Sequence, residues 1–240
     1  MKYYKTLIII ILLSLFTVSL SAQNRNFGVP NLLKYDNQLF HFGFLIGYNQ
    51  FDFDIRSKAD LSQYDSLMVI NTAALSGFNL GIVTNLRLGK YFDLRFIPGL
   101  SFGDRVVNYT ILYPDQSRLI TKKNIESVYL DLPLLVKLKS SRMHNIRAYV
   151  VAGAQYSLDL ISAAKKQNNN PREIMLKLYP HDVQAQVGVG IDFYCTHFKF
   201  STEFKMSFGL MNLIVPENNI YAESVQSLKS KMMQISFLFE

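Results

Sequence analysis

The sequence predicts an all-β fold, an 8-stranded antiparallel transmembrane β-barrel of the outer-membrane type with short periplasmic turns and longer outer loops. Eight stretches alternate apolar and polar residues for about ten positions each, the period of a half-covered strand. The links between them alternate as well, long then short, and an even strand count puts both chain ends on the short-turn side.

The chain opens with Lys2 and Lys5, then an apolar run from Leu7 to Leu20, then Ser21-Ala22-Gln23. That run is shorter than the roughly 18 to 20 residues of a spanning helix, and small residues follow it. It therefore reads as an export signal cut at Ala22 rather than an anchor, and no cysteine near the cut suggests a lipoprotein. The expected organisation is a signal at 1–22, a short periplasmic segment at 23–39 and a barrel at 40–240.

The chain carries 25 basic and 18 acidic side chains; without Lys2 and Lys5 the count is 23 against 18. This modest surplus is spread over the strands without an Arg/Lys stripe, which argues against nucleic acid as a partner. Cys195 is the only cysteine, so an exported chain of this kind rests on a closed hydrogen-bonded sheet or a large core rather than on a disulfide.

Each strand has its own justification. The first, 40–53, carries Phe40, Phe42, Phe44, Ile46 and Tyr48 on one face. The second, 76–89, sets Leu80, Ile82 and Leu86 against Arg87, and the third, 91–110, sets Phe92, Leu94 and Phe96 against Asp93 and Arg95. The fourth, 125–139, opposes Leu132, Leu134 and Val136 to Asp131, Lys137 and Lys139; the fifth, 145–160, opposes Val150, Ala152 and Tyr156 to Arg147 and Asp159. In the sixth, 182–194, Val187, Val189 and Ile191 alternate with Gly188, Gly190 and Asp192. The seventh, 197–210, alternates Phe198, Phe200 and Phe204 with Lys199, Glu203 and Lys205, and the eighth, 230–239, ends on Phe237 and Phe239.

Periodicity alone does not say which face meets lipid, because a soluble ligand-carrying barrel alternates equally well with its apolar face inside. Unequal links and a mixed-sign polar face favour the membrane. Val187, Val189, Ile191, Phe198, Phe200, Phe204, Phe237 and Phe239 are expected to face lipid. Arg87, Asp93, Arg95, Asp131, Lys137, Arg147, Asp159, Asp192, Lys199, Glu203 and Lys205 are expected to pair inside the lumen. Eight strands leave an interior that side chains can fill, which disfavours a general diffusion pore.

Pro133 removes a ladder donor in mid-strand and predicts a bulge there. The 18 Phe and 14 Tyr, with no Trp, suggest two interfacial girdles. Tyr91, Phe92, Phe193, Tyr194 and Phe198 would lie by the short turns, and Tyr48, Phe51, Phe53, Tyr109 and Tyr156 towards the loops.

Motifs for chemistry are weak. Gly99-Leu100-Ser101-Phe102-Gly103 has the form of a hydrolase elbow but lies within an alternating strand rather than a strand-turn-helix. His41, His144, His181 and His197 lack metal-ligand spacing, and Gly89-Lys90 lacks the rest of a P-loop. His181, Asp182 and Ser162 share a loop region where a lipid-modifying barrel would assemble its catalytic groups, and Asn168-Asn169-Asn170-Pro171-Arg172 reads as a solvated loop tip. No enzyme activity, cofactor, metal or small-molecule substrate is expected.

The first strand, His41-Phe42-Gly43-Phe44-Leu45-Ile46-Gly47-Tyr48-Asn49 followed by Phe51 and Phe53, resembles the PorT family, as does Tyr129-Leu130-Asp131-Leu132-Pro133-Leu134-Leu135-Val136-Lys137. The tail Gln234-Ile235-Ser236-Phe237-Leu238-Phe239 resembles the aromatic-ended strand by which outer-membrane barrels are recognised for insertion, with Glu240 as one extra residue. The resemblance implies a small barrel of the type IX secretion system, with no catalytic residues to carry over. Its expected partners are outer-membrane lipid, other secretion-system proteins and, through the last strand, the barrel-insertion machinery. A small outer-membrane barrel of another class, a lipid-modifying enzyme or a passive pore, is the alternative.

Overall fold

The computed structural model describes residues 29–57, 67–112, 118–161, 178–215 and 225–240; the proposed cleavage at Ala22, Ser162 and the 168–172 tip lie outside them. Among these residues nine strands follow in order: β1 Phe40–Ser57, β2 Leu67–Arg87, β3 Phe92–Phe96, β4 Gly99–Leu112, β5 Arg118–Lys139, β6 Ile146–Asp159, β7 His181–Tyr194, β8 Lys199–Gly209 and β9 Val225–Phe239. Each pairs antiparallel with its neighbours, and β1 pairs both with β2 and with β9, so the sheet closes on itself. β3 and β4 both lie between β2 and β5 as successive halves of one interrupted stave, which makes eight staves. Closure satisfies the ladder without leaving an edge, the condition for crossing hydrocarbon with strands.

Side-chain placement inverts the globular pattern. In β8, Ser201, Glu203, Lys205 and Ser207 are buried while Phe204 and Phe208 are exposed. Across the barrel, Val189 is 55% exposed and Glu203 2%. Such an arrangement is stable only where the surroundings are less polar than the interior, because an apolar belt in water would forfeit the burial that holds a soluble domain together. Phe198, Phe204, Val187, Ile191 and Phe237 are exposed on the same outer surface, and Phe200 and Phe239 are half-covered, packing at a tilt against each other and stacking on Phe237 and Phe44 respectively.

The wall departs from expectation in two places. No register shift occurs at Pro133: Leu134 still opposes Phe96, and Asp131 opposes Gly99. Instead the neighbouring stave is interrupted at Ile97-Pro98, directly opposite, where Ile97 N–H donates to the Pro133 carbonyl at 3.4 Å. The missing Pro133 donor is thus absorbed by a gap in its partner rather than by an extra residue. Register shifts lie elsewhere, between Arg56 and Ser57, Leu67 and Val69, and Ala74 and Phe78. Several strands also outrun their apolar stretch. The β4–β5 ladder continues to Leu112 opposite Arg118, β2 starts at Leu67 and β9 at Val225. Hairpin hydrogen bonding needs no apolar face once the chain has left the hydrocarbon, so alternation under-reports strand length there.

The girdles need correction too. Phe51 and Phe53 are each 4% exposed and Tyr194 3%, so all three point into the lumen. Their parity requires it: Phe51 and Phe53 lie an odd number of residues from outward-facing Phe44, and Tyr194 shares a face with Asp192. The interior is accordingly not purely polar. Leu45, Val83, Ile97 and Leu238 form one apolar cluster, and Phe51, Tyr129 and Met232 another. Gly190 makes room for the Tyr149 ring, since a Cβ there would stand 2.3 Å from its Cζ.

A cation on the outer belt is expected to block insertion. Val189→Lys or Phe204→Lys should destabilise the inserted barrel by roughly 2 to 4 kcal/mol, read by gel mobility after folding into lipid vesicles. Unchanged folding yield would contradict the outward placement.

Candidate functional site

The inward side chains stack in layers from the short-turn mouth outwards. At the mouth, residues 29–39 fold back over the opening around a short 3-10 turn, Tyr35–Asn37. Asp36 accepts from Arg147 Nη1 and Nη2 at 2.9 and 3.1 Å, from Arg142 Nη1 at 3.4 Å and from the Tyr194 hydroxyl at 3.3 Å. Tyr35 stacks on His41 with centroids 4.0 Å apart, its carbonyl lies 2.9 Å from His41 Nε2, and its hydroxyl donates to Glu240 Oε2 at 3.0 Å. Asn31 N–H donates to Asn145 Oδ1 at 2.9 Å, and Arg142 donates to the Asn31 carbonyl. The segment is therefore a cap. Burial alone would raise the Asp36 carboxyl, but the two guanidinium groups outweigh it and hold the carboxyl below its ordinary range.

Beneath the cap lies a charge-paired layer. Arg95, fully buried, donates through Nη1 to Glu203 Oε2 at 2.8 Å and through Nη2 to Glu240 Oε1 at 3.2 Å. Lys199 Nζ reaches the other Glu240 oxygen at 2.6 Å, and Tyr149 OH donates to Glu203 at 2.8 Å. Lys137 Nζ bridges both Asp192 oxygens at 2.9 and 2.8 Å and lies 3.6 Å from the Tyr149 ring centroid. Lys139 pairs with Asp93 at 2.6 Å, while Lys205 Nζ stands 3.5 Å from Glu203 Oε1. Burying ions in low dielectric is unfavourable unless every charge finds its opposite, and cations and anions from five staves interleave here.

Further out the groups are mainly neutral. Asp131 accepts from the Ser101 and Ser157 hydroxyls and from Gln155 Nε2 at 2.7 Å, and Gln186 Nε2 donates to Ser207 at 2.8 Å. In the outermost described layer Arg105, 0% exposed, lies 4.2 Å from the Phe53 ring centroid and donates to Ser127 at 3.0 Å, which in turn donates to Asp159 at 3.2 Å. Asp182 accepts from Gln184 Nε2 at 2.9 Å and from the Ser230 hydroxyl. Among the described residues, cavities of about 20 and 10 Å³ in the lumen each have room for a single water.

Of the residues assigned to the lumen, Asp93, Arg95, Asp131, Lys137, Arg147, Asp159, Asp192, Lys199, Glu203 and Lys205 are all buried there. Arg87 is only half-buried, donating to the Gly89 carbonyl at 3.3 Å in the short turn that follows β2. Sequence reasoning missed Arg105, whose odd parity in the third strand places it with Asp93 and Arg95. It also missed Glu240, treated as a surplus residue, and Tyr35 and Asp36, whose partners lie far along the chain.

The chemical motifs come apart in three dimensions. Ser101 is engaged with Asp131 on a continuous strand. His181 is exposed outside, its Nδ1 2.6 Å from the Tyr156 hydroxyl, while Asp182 is 1% exposed inside. The two side chains of that candidate pair point to opposite faces of β7.

A model of the family described as outer membrane protein beta-barrel domain matches residues 21–215. Among solved structures, the outer membrane protein OprG from Pseudomonas aeruginosa is 12% identical, with 88% of this chain and 95% of that chain covered and a TM-score of 0.43. Neisserial surface protein A is 9% identical, covering 81% and 95%, TM-score 0.39. The attachment invasion locus protein Ail of Yersinia pestis is 10% identical, covering 84% and 98%, TM-score 0.34. None of the curated proteins matches the chain.

The cap should respond to acid with a definite sign. Because Asp36 is held below its unfolded value near 3.9, its stabilisation is fully present above about pH 5 and is lost as pH falls through the lowered value. Hydrogen-exchange protection of 31–37, corrected for intrinsic exchange, should carry a step between about pH 5 and 3 that belongs to Asp36. Asp36→Asn should weaken protection at neutral pH and remove the step between about pH 5 and 3; a step of equal size in wild type and variant would contradict the assignment.

Proposed function

The chain belongs to the outer membrane protein beta-barrel domain family and resides in the outer membrane, and on that premise we propose that it is a noncatalytic component of the type IX protein secretion system. In this reading it is needed for export and maturation of proteins bearing a C-terminal sorting domain, and it acts as an anchor or assembly factor rather than as the conducting pore. Two things support the reading. The first and fourth sequence stretches, His41–Asn49 and Tyr129–Lys137, resemble the PorT family. The observation that carries the division of labour is the filled lumen: Arg95, Glu203 and Glu240 lock side chains from β3 and β8 and the residue after β9 across the interior.

A polypeptide in transit needs a passage wider than a single water, so cargo travels through a partner, and this barrel presents its ends. Secretion-system proteins are its proposed protein partners, lipid covers its belt, and the final strand engages the insertion machinery. Small molecules and nucleic acid are not proposed as ligands.

Deleting the gene should leave sorting-domain cargo unprocessed inside the cell, measured by immunoblot of cell and medium fractions, and a plasmid copy should restore export. Normal secretion in the deletion strain would contradict the proposal.

A further inference from the structure

Residues 29–39 touch staves that are far apart in sequence and adjacent only in the closed ring. The Tyr35 ring is stacked on His41 of β1 while the Lys199 ammonium of β8 lies 4.8 Å from its centroid and its hydroxyl reaches Glu240 beyond β9. Asp36 is gripped by Arg147 of β6 and Tyr194 of β7, and the Leu39 carbonyl accepts from the Arg87 N–H of β2 at 2.8 Å. β1 and β9 are the first and last strands, and their pairing, running from Phe44 opposite Phe239, is the step that closes the barrel. His41 and Glu240 become neighbours only then.

The seat for the segment is therefore a product of closure. Tethered to β1, the segment can stack Tyr35 on His41 at any time, but its contacts to Arg147, Tyr194, Lys199 and Glu240 require the ring. We propose that residues 29–39 form a latch that seats after β1 has zipped onto β9 and then holds that seam shut, setting the lifetime of the folded barrel rather than its rate of formation. Interactions absent from the transition state and present in the native state act on unfolding alone.

The backbone at the seat is held under constraint. Leu32, with φ of 52°, and His144, with φ of 57°, are the two described non-glycine residues in the left-handed region. They flank the place where Asn31 meets Arg142 and Asn145. For Leu this conformation is unfavourable, so it persists because the surrounding contacts impose it, and release of the segment would relax it.

The test uses the full chain, unfolded in urea and refolded into phosphatidylcholine vesicles, with both rates measured for wild type, Tyr35→Phe and the double variant Tyr35→Ala/Asp36→Ala. Tyr35→Phe keeps the stack on His41 and removes only the hydroxyl link to Glu240, so it is the variant least able to perturb folding. The double variant should unfold about tenfold faster while folding within about twofold of wild type, and Tyr35→Phe should show a smaller rise in unfolding rate alone. In a Glu240→Ala background the effect of Tyr35→Phe should shrink, because the bond it removes is already gone. Slowed folding with unchanged unfolding would make the segment part of the closing nucleus and overturn the proposal. Unchanged rates in both directions would also overturn it.

Discussion

Arg95 is fully buried, and its guanidinium is held between two carboxylates, Glu203 and Glu240, that come from the far side of the barrel. A charge in that position is tolerable only because its opposites are within contact distance, and those opposites are tolerable only because Lys199, Lys205 and Tyr149 reach them in turn. The constraint beneath this pairing is the lipid outside. Neighbouring staves that turn Phe204 and Val189 to hydrocarbon must turn Glu203 and Gly190 inwards, and eight such staves enclose a space that the inward side chains nearly fill. Fold, filled lumen and cap all descend from that one division of faces.

Much of this was legible because a two-residue period has only one alternative phase. Once Phe204 was outside, Glu203 and Lys205 had to be inside, and the same rule placed Val187, Val189 and Asp192. Errors arose where aromatic character was given more weight than parity. Phe51, Phe53 and Tyr194 looked like interfacial residues, yet each lies in phase with the lumen and packs there against Arg105, Tyr129 or Arg142. The extent of the strands was hidden for a different reason: the β4–β5 ladder runs on through a mixture of polar and apolar residues that keeps no strict alternation.

Other features depend on contacts between distant parts of the chain, which no local pattern records. Pro133 predicted a defect but could not say that its neighbour would break at Ile97-Pro98 to receive it. Asp36 looked like an ordinary loop acid; its partner Arg147 is 111 residues away, so only the closed ring makes it an anchor. Glu240 seemed to spoil an aromatic-ended strand, whereas it carries three bonds at the centre of the charge layer. In the proposed role, the barrel would offer partners a closed wall with a capped short-turn mouth, and the latch would keep that platform intact once assembled.

The division of faces is tested most directly by nitroxide scanning of β8 in lipid vesicles, one label at a time from Thr202 to Phe208, with Cys195 replaced by serine and collision rates measured for lipid-dissolved oxygen and for a water-soluble nickel chelate. Oxygen collisions should peak at Thr202, Phe204, Met206 and Phe208, and the positions between them should be shielded from both reagents because side chains, not water, fill the lumen. High nickel accessibility at Glu203, Lys205 and Ser207 would mean a water-filled interior, and loss of the two-residue period would mean that the strand does not face lipid at all.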